Sequence, residues 1–355
     1  MADFSEHLDE LRGLLRHALT LELSTIPPYA TACFSIKEEG QYDRSSPQIV
    51  NAEPIEVIRQ VMVEEMLHMA LAANVLNAVG GAPALDDPEW VPTYPRRLLP
   101  NGKGPQVRLR RFTPEQIKAF REVERAPPSI HPLKTEDCAE ADTIGAFYAC
   151  IIVRLNRLCA DAGEKRVFCG DPARQLRPQD YYGAGGGVIV VKDLKTANTA
   201  LAKIIDEGEG ADVGHRAGDG DWIPGEDRED VAHFFKFNEI YCSRYYQPDD
   251  RLGEPPTGGD LAVDWSAVWP MKDDPKAADF ADAPQVLAKV QAFNALYSDF
   301  LRTLNQAFNG SPGLLAESVP TMYRLKYAAQ ELMRIPINGK GETAGPTWEY
   351  VSAAR

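Results

Sequence analysis

A chain of 355 residues that is 44% hydrophobic and 25% charged can bury a sizeable core as one large domain or two, which excludes disorder as the default. A net charge of -14 leaves no basic surplus to neutralise phosphates, so nucleic acid and anionic membrane surfaces are excluded as partners. Met1 to Thr25 lacks a basic segment followed by an apolar one, and no run of about 18 apolar residues suggests a membrane span. The expectation is therefore a cytoplasmic protein whose six cysteines, Cys33, Cys138, Cys150, Cys159, Cys169 and Cys242, are reduced and mostly buried.

The first helix is predicted from about Phe4 to Tyr29. Leu8, Leu11, Leu15, Ala18, Glu22, Thr25 and Tyr29 fall at alternating three- and four-residue steps, the inward seam of a helix bundle. Pro27 and Pro28 should kink or end it, because neither can donate a backbone N–H. A polar loop then leads to a second helix that starts near Pro54 and stops at Gly80-Gly81, with Ile58, Val61, Glu65, His68, Ala72, Val75 and Val79 as its seam. From Ala82 to about Leu133 the pattern breaks into an excursion holding one strand candidate, Val107 to Arg111, and a short helix announced by Thr113-Pro-Glu-Gln116, a capping-box pattern.

A third long helix, about Lys134 to Ala162, is apolar almost all round and should be largely buried. The second excursion contains a predicted buried strand over Gly185 to Val191, an amphipathic helix from Leu194 to Glu207 and a glycine-rich loop reaching Asp221. Helix four is predicted from Glu226 to Tyr246, with Asp230, His233, Phe237 and Ile240 inward. After an Asp/Pro/Gly-rich stretch, two more helices follow, Pro284 to Asn309 and Gly313 to Ile335. The domain expectation is a bundle over residues 1-250, with excursions at about 82-133 and 163-225, and a C-terminal helical extension over residues 251-355 packed on it.

Two stretches carry the chemistry, Glu65-Met-Leu-His68 and Asp230-Val-Ala-His233. On a helix, positions three apart share a face one turn apart, so each pair has metal-ligand spacing. A Glu or His inside a seam costs several kcal/mol to desolvate unless it is paired, hydrogen-bonded or metal-bound. The bland account is a buried carboxylate–histidine network that fixes helix register without any metal. Glu22, Glu65, His68, Asp230 and His233, all on predicted inward faces of three helices, favour a metal site instead, since di-iron bundles place such residues inward from four helices. Imidazole plus carboxylate without thiolate suits Fe or Mn, with Zn also compatible, as one or two ions. His7 and His17 lie off the seam, His131 and His215 fall in loops, and no dinucleotide, phosphate-loop or Ser-His-Asp pattern is present.

Several blocks together resemble a family: Glu22-Leu-Ser-Thr-Ile-Pro-Pro-Tyr29, Glu64-Glu-Met-Leu-His-Met69 with Leu71-Ala-Ala-Asn74 and Gly80-Gly-Ala-Pro83, Thr143-Ile-Gly145 with Phe147-Tyr148, and His233 with Phe237 and Glu239-Ile240. The chain is similar to the ferritin-like domain of the iminophenyl-pyruvate dimer synthase type, found at the N-terminus of bacterial enzymes of violacein and rebeccamycin bisindole biosynthesis and in stand-alone bacterial homologues. The resemblance covers roughly Leu8 to Tyr246, and Gly345 to Tyr350 also looks familial. It implies a mainly α fold, a ferritin-like four-helix bundle with loop and short-strand excursions and additional C-terminal helices, and a di-metal centre. Carried over by position, Glu22, Glu65 with His68, and Asp230 with His233 match the ligand pattern. Where the family has a Glu after Thr-Ile-Gly, this chain has Ala146; Asp142 or Cys150 could substitute, and Glu229 could compete with Asp230. Two hypotheses follow from Ala146: the site holds one metal, or the vacancy admits an anionic substrate.

The functional expectation is a non-haem metal oxidoreductase of bacterial secondary metabolism acting on a small aromatic or amino-acid-derived substrate, with no catalytic residue assigned beyond the ligands. A homo-oligomer is compatible with the sequence. The alternative is a non-catalytic metal-binding or interaction protein with a degraded di-metal site. An enzyme should carry a cleft that reaches the inward carboxylates and is lined by aromatics such as Tyr181, Tyr182 and Phe147.

Overall fold

The computed structural model describes residues 4–38, 51–125, 137–181, 187–208, 217–222, 229–247, 250, 254–339 and 341–352, with 217–222 and 229–230 described by their backbone. Helix α1 spans Phe4–Ser35, and its whole expected seam from Leu8 to Tyr29 is buried. It continues through Pro27 and Pro28 instead of ending there. Pro28 cannot donate to the carbonyl of Ser24, and the hydroxyl of Tyr94 takes that place, donating to it at 3.0 Å. A bond supplied from outside the helix lets a Pro-Pro step sit inside it.

Helix α2 spans Ala52–Ala78, close to the predicted limits. Gly80 follows it at φ +74°, and a Cβ there would stand 2.7 Å from the Arg12 guanidinium and 2.9 Å from Cys169 Sγ, so both dihedral and space call for glycine. In the first excursion β1 (Arg96–Arg97) pairs antiparallel with β2 (Gln106–Val107), a shorter strand than Val107 to Arg111 suggested. Helix α3 spans Pro114–Val123; Thr113 Oγ1 accepts from Gln116 N at 3.2 Å. Only that half of the capping box forms, because the Gln116 side chain donates to the carbonyl of Arg108 at 3.1 Å.

Helix α4 spans Ile144–Ala162 and starts later than expected, at Thr143, whose hydroxyl accepts from Ala146 N at 3.1 Å. Cys138, in a single turn of 3-10 helix before it, is disulfide-bonded to Cys150. This corrects the expectation of six reduced thiols at one pair. Short α5 (Glu164–Val167) follows, then irregular chain at 188–191 where a strand was predicted, then α6 (Leu194–Gly208) as expected. The first residues of that predicted strand, 185–186, lie outside the described residues, as do His131 and His215.

The largest departure is helix four. Residues 217–222 form β3 (Ala217–Trp222), which pairs antiparallel with β4 (Glu229–Val231), and α7 begins only at His233 and ends at Cys242. Helices α8 (Pro284–Phe308) and α9 (Gly313–Met333) match their predicted limits closely. The architecture is thus mainly α, a helical bundle with short-strand excursions and added C-terminal helices. One apolar core runs from Leu8 of α1 to Trp348 beyond α9. The C-terminal helices are tied to the bundle by Asn77 Nδ2 donating to the Phe308 carbonyl at 2.7 Å and by Trp348 Nε1 donating to Thr31 Oγ1 at 2.9 Å. Among the described residues no helix is long and apolar enough to cross a membrane.

Candidate metal centre

Seam spacing on α1 and α2 turns Glu22, Glu65 and His68 toward one another, and α7 brings His233 to the same point with its first residue. The fifth member is Glu124, the residue that caps the C-terminus of α3. All five are buried, none more than 3% exposed. Their donor atoms form two groups, Glu22–Glu65–His68 and Glu65–Glu124–His233, each compact enough for one cation, and Glu65 belongs to both.

The two imidazoles are set alike. His68 Nδ1 faces Glu65 Oε1 at 3.7 Å and Glu22 Oε2 at 3.9 Å, while its Nε2 bonds Glu207 Oε2 at 3.0 Å. His233 Nδ1 faces Glu65 Oε1 at 2.9 Å and Glu124 Oε2 at 3.7 Å, while its Nε2 bonds Glu64 Oε2 at 2.7 Å. The rings stack with centroids 5.4 Å apart. A carboxylate on the outer nitrogen fixes the tautomer that leaves the inner nitrogen a lone pair, the usual support of a metal-binding histidine. Each supporting carboxylate is itself held by a lysine: Glu207 by Lys203, and Glu64 by Lys236 Nζ at 2.7 Å. The outer carboxylates Glu22 and Glu124 accept from the hydroxyls of Tyr148 and Tyr29, and Thr25 Oγ1 donates to Glu65 Oε2 at 2.6 Å. The two halves therefore repeat one plan around Glu65.

Charge follows the same layout. Burial alone would push the His68 imidazole down, but its hydrogen bond to Glu207 and the facing charges of Glu65 and Glu22 outweigh that and hold it at about 10. The carboxylates around His233 likewise outweigh its burial and hold it well above the usual range. Glu22 and Glu124 are pushed up by burial and by the neighbouring charge of Glu65. Glu65 is buried too, yet its two histidine partners draw it down. Without a cation the cluster fills itself with protons.

The residues fit a metal. His233 Nδ1 is fully buried and no directed hydrogen bond reaches it, although Glu65 Oε1 is only 2.9 Å away. A nitrogen crowded by carboxylate oxygens without a bond among them suits a shared cation better than a hydrogen-bond network. Three carboxylates and two imidazoles, without a thiolate, form a donor set compatible with Fe, Mn or Zn.

Four of the five residues singled out in the sequence, Glu22, Glu65, His68 and His233, are brought together. Asp230 lies in β4, before α7 begins, so the Asp230–His233 pair does not share a helix face; Glu229 lies in the same strand. Neither proposed stand-in for Ala146 serves, because Asp142 is exposed and Cys150 is disulfide-bonded. Glu124 supplies the third carboxylate of the cluster in place of the expected Asp230, and Ala146 on α4 supplies none. Sequence reasoning passed over it in the first excursion, although Ile117, Phe120 and Glu124 keep the three- and four-residue steps of a buried helix face. His7 and His17 are exposed, as expected.

The sequence pattern of the family described as Ferritin-like matches residues 15–242. Dichlorochromopyrrolate synthase of Lentzea aerocolonigenes is 23% identical over 391 aligned positions, covering 96% of this chain and 36% of the relative, so the chain spans about a third of that protein's length. A crystal structure of a ferritin-like protein from Caulobacter vibrioides superposes with a TM-score of 0.57 at 21% identity, covering 96% of this chain and 97% of the other, a likeness of fold.

Proposed function

We propose a function on the premise that this chain belongs to the ferritin-like family: it is a non-haem di-metal oxidoreductase whose two ions share Glu65. The observation that carries this reading is the repeated half-site, with Nδ1 of each histidine turned inward and Nε2 of each held by a carboxylate. Glu22 and His68 would hold one ion, Glu124 and His233 the other, and Glu65 would reach both. When bound, Fe or Mn at such a site supplies electron transfer and Lewis acidity toward dioxygen or a substrate.

The remaining steps belong to the protein. Thr25 keeps Glu65 oriented through its Oε2, and the Tyr148 and Tyr29 hydroxyls each hold a proton against one outer carboxylate. Lys203 and Lys236 balance the supporting carboxylates, so the histidines need not stay charged when a cation arrives. Three carboxylates leave one positive charge over beside two divalent ions, which suits an anionic ligand or substrate carboxylate. The similarity to a dichlorochromopyrrolate synthase supports an aromatic, amino-acid-derived substrate in bacterial secondary metabolism.

A second reading, a metal-holding protein without catalysis, is favoured by one observation. The apolar cavity that Tyr181 lines has none of the five cluster residues in its wall; Phe147 is fully buried, and Tyr182 lies outside the described residues. Oxygen-electrode traces of protein loaded anaerobically with Fe(II) separate the two. The oxidoreductase reading expects rapid stoichiometric oxygen uptake by the wild type and none by Glu65→Ala; metal retention without uptake in the wild type would leave only the second reading.

A further inference from the structure

A cleft of about 470 Å³ opens between α1 and the β1–β2 hairpin. His17 of α1 lines it together with Arg96 and Arg97 of β1, while Pro95, Leu98, Leu99 and Pro100 supply apolar surface. Its volume is that of a small-molecule site, and no carboxylate is part of its wall. None of the five cluster residues lines it either, so the cleft stands apart from the metal centre.

The charges in this cleft are unmatched. The chain carries 52 acidic against 38 basic residues, so an arginine that loses water is expected to find a carboxylate. Arg108 and Arg110, farther along the same excursion, do so with Asp274 and Asp273. Arg96 does not. It is half-buried, yet its side chain has no ion pair and no hydrogen bond among the described residues. Burial pushes its guanidinium below the usual arginine range, and no carboxylate offsets this.

The neighbouring groups repeat the sign. Arg97 is exposed, and its Nη1 donates to the Gly104 carbonyl at 2.7 Å, again without an acidic partner among the described residues. The His17 ring meets Trp90 edge-on with centroids 5.1 Å apart. Its imidazole is pushed down by partial burial and then by the charge of Arg96. A neutral imidazole keeps one N–H to donate, and an anion beside Arg96 would remove the repulsion. A guanidinium fork matches the oxygen pairs of carboxylate and phosphate. The Nε of Arg96 is sealed from solvent, which leaves the two terminal nitrogens as the donors.

We propose that this cleft binds the oxyanion group, carboxylate or phosphate, of a small organic anion. The terminal nitrogens of Arg96 and the His17 imidazole donate to it, and the prolines and leucines pack on its apolar body.

Isothermal titration calorimetry of the full chain with benzoate, phenyl phosphate and neutral benzamide tests this. The probes share a ring and differ in head group. One anion should bind per chain, the tighter of the two naming the head group, and benzamide should bind at least about tenfold more weakly, the size of one charge-assisted hydrogen bond. Arg96→Gln should weaken the anions by about tenfold or more, Arg96→Lys should recover part of the loss, and His17→Ala should cost about threefold. Arg157→Gln, exposed on α4 and facing Asp161, should change nothing. Circular dichroism checks that each variant is folded. No saturable anion binding, benzamide binding as tightly as the anions, or an Arg96→Gln chain that binds like the wild type would overturn the proposal. So would an equal loss in Arg157→Gln, the mark of diffuse charge alone. Binding should be the same in metal-loaded and metal-free chain; binding that disappears with the metal would assign the anion to the metal centre and overturn the cleft.

Discussion

Glu124 reaches the cluster from a short helix in what the sequence presents as an excursion, and it is the residue that turns a half-site into two. If Glu124 and His233 hold one ion, Glu124→Ala lowers bound metal from two equivalents to one, whereas Asp230→Asn, in the strand before α7, keeps both. Elemental analysis after loading and desalting reads this directly. The supporting carboxylates should matter almost as much. Glu207→Gln and Glu64→Gln remove the anion behind His68 and His233, and each should weaken metal binding by about 10- to 100-fold in a competition titration with a chelator.

Among the elements, α1 shows how a local rule is overridden. Tyr94 satisfies the carbonyl that Pro28 leaves open, so Tyr94→Phe should cost about 2 kcal/mol in urea denaturation, the penalty of a buried acceptor without a donor. An effect near zero would mean that the helix tolerates its prolines without help. The regular helices were legible in the sequence because their seams are long and periodic; α2, α8 and α9 fall close to their expected limits, and α1 starts where expected but runs on past Tyr29 to Ser35. Helix four was not, because Asp230 and His233 satisfy the spacing of a helix while the chain before His233 is paired as β3 and β4. Of the site, Glu22, Glu65, His68 and His233 could be read from seams, but the partners Tyr29, Tyr148, Glu207 and Lys203 depend on contacts between elements distant in the chain. The Cys138–Cys150 bridge was missed for the same reason, since chain length argued for reduced thiols and only the fold brings these two together. It closes a short loop, and reduction should destabilise the chain by about 3 kcal/mol, with mass spectrometry under non-reducing conditions finding four alkylated cysteines of six.

At the scale of the whole molecule, the cluster couples stability to pH. His68 holds its proton up to about 10 in the folded metal-free chain, against about 6.5 for an unfolded imidazole, and His233 is raised as well. Their contribution is whole below about pH 6.5 and is lost as pH rises toward about 10. The lowered carboxyl of Glu64, held at about 2, works in the opposite sense: its contribution is whole above about pH 5 and is lost as pH falls toward about 2. Thermal denaturation of the metal-free protein should therefore show a falling midpoint from about pH 6.5 to 10. Bound cations replace the two protons, so the loaded protein should lose that slope, and the gap between loaded and metal-free midpoints should widen as pH rises. The most direct test of the shared-ligand centre is metal content per chain by mass spectrometry after anaerobic loading with Fe(II) or Mn(II), on the wild type and on Glu65→Ala. Two equivalents in the wild type and loss of both in the variant are predicted; a folded wild type that binds no metal, or a variant that keeps two, would contradict the account.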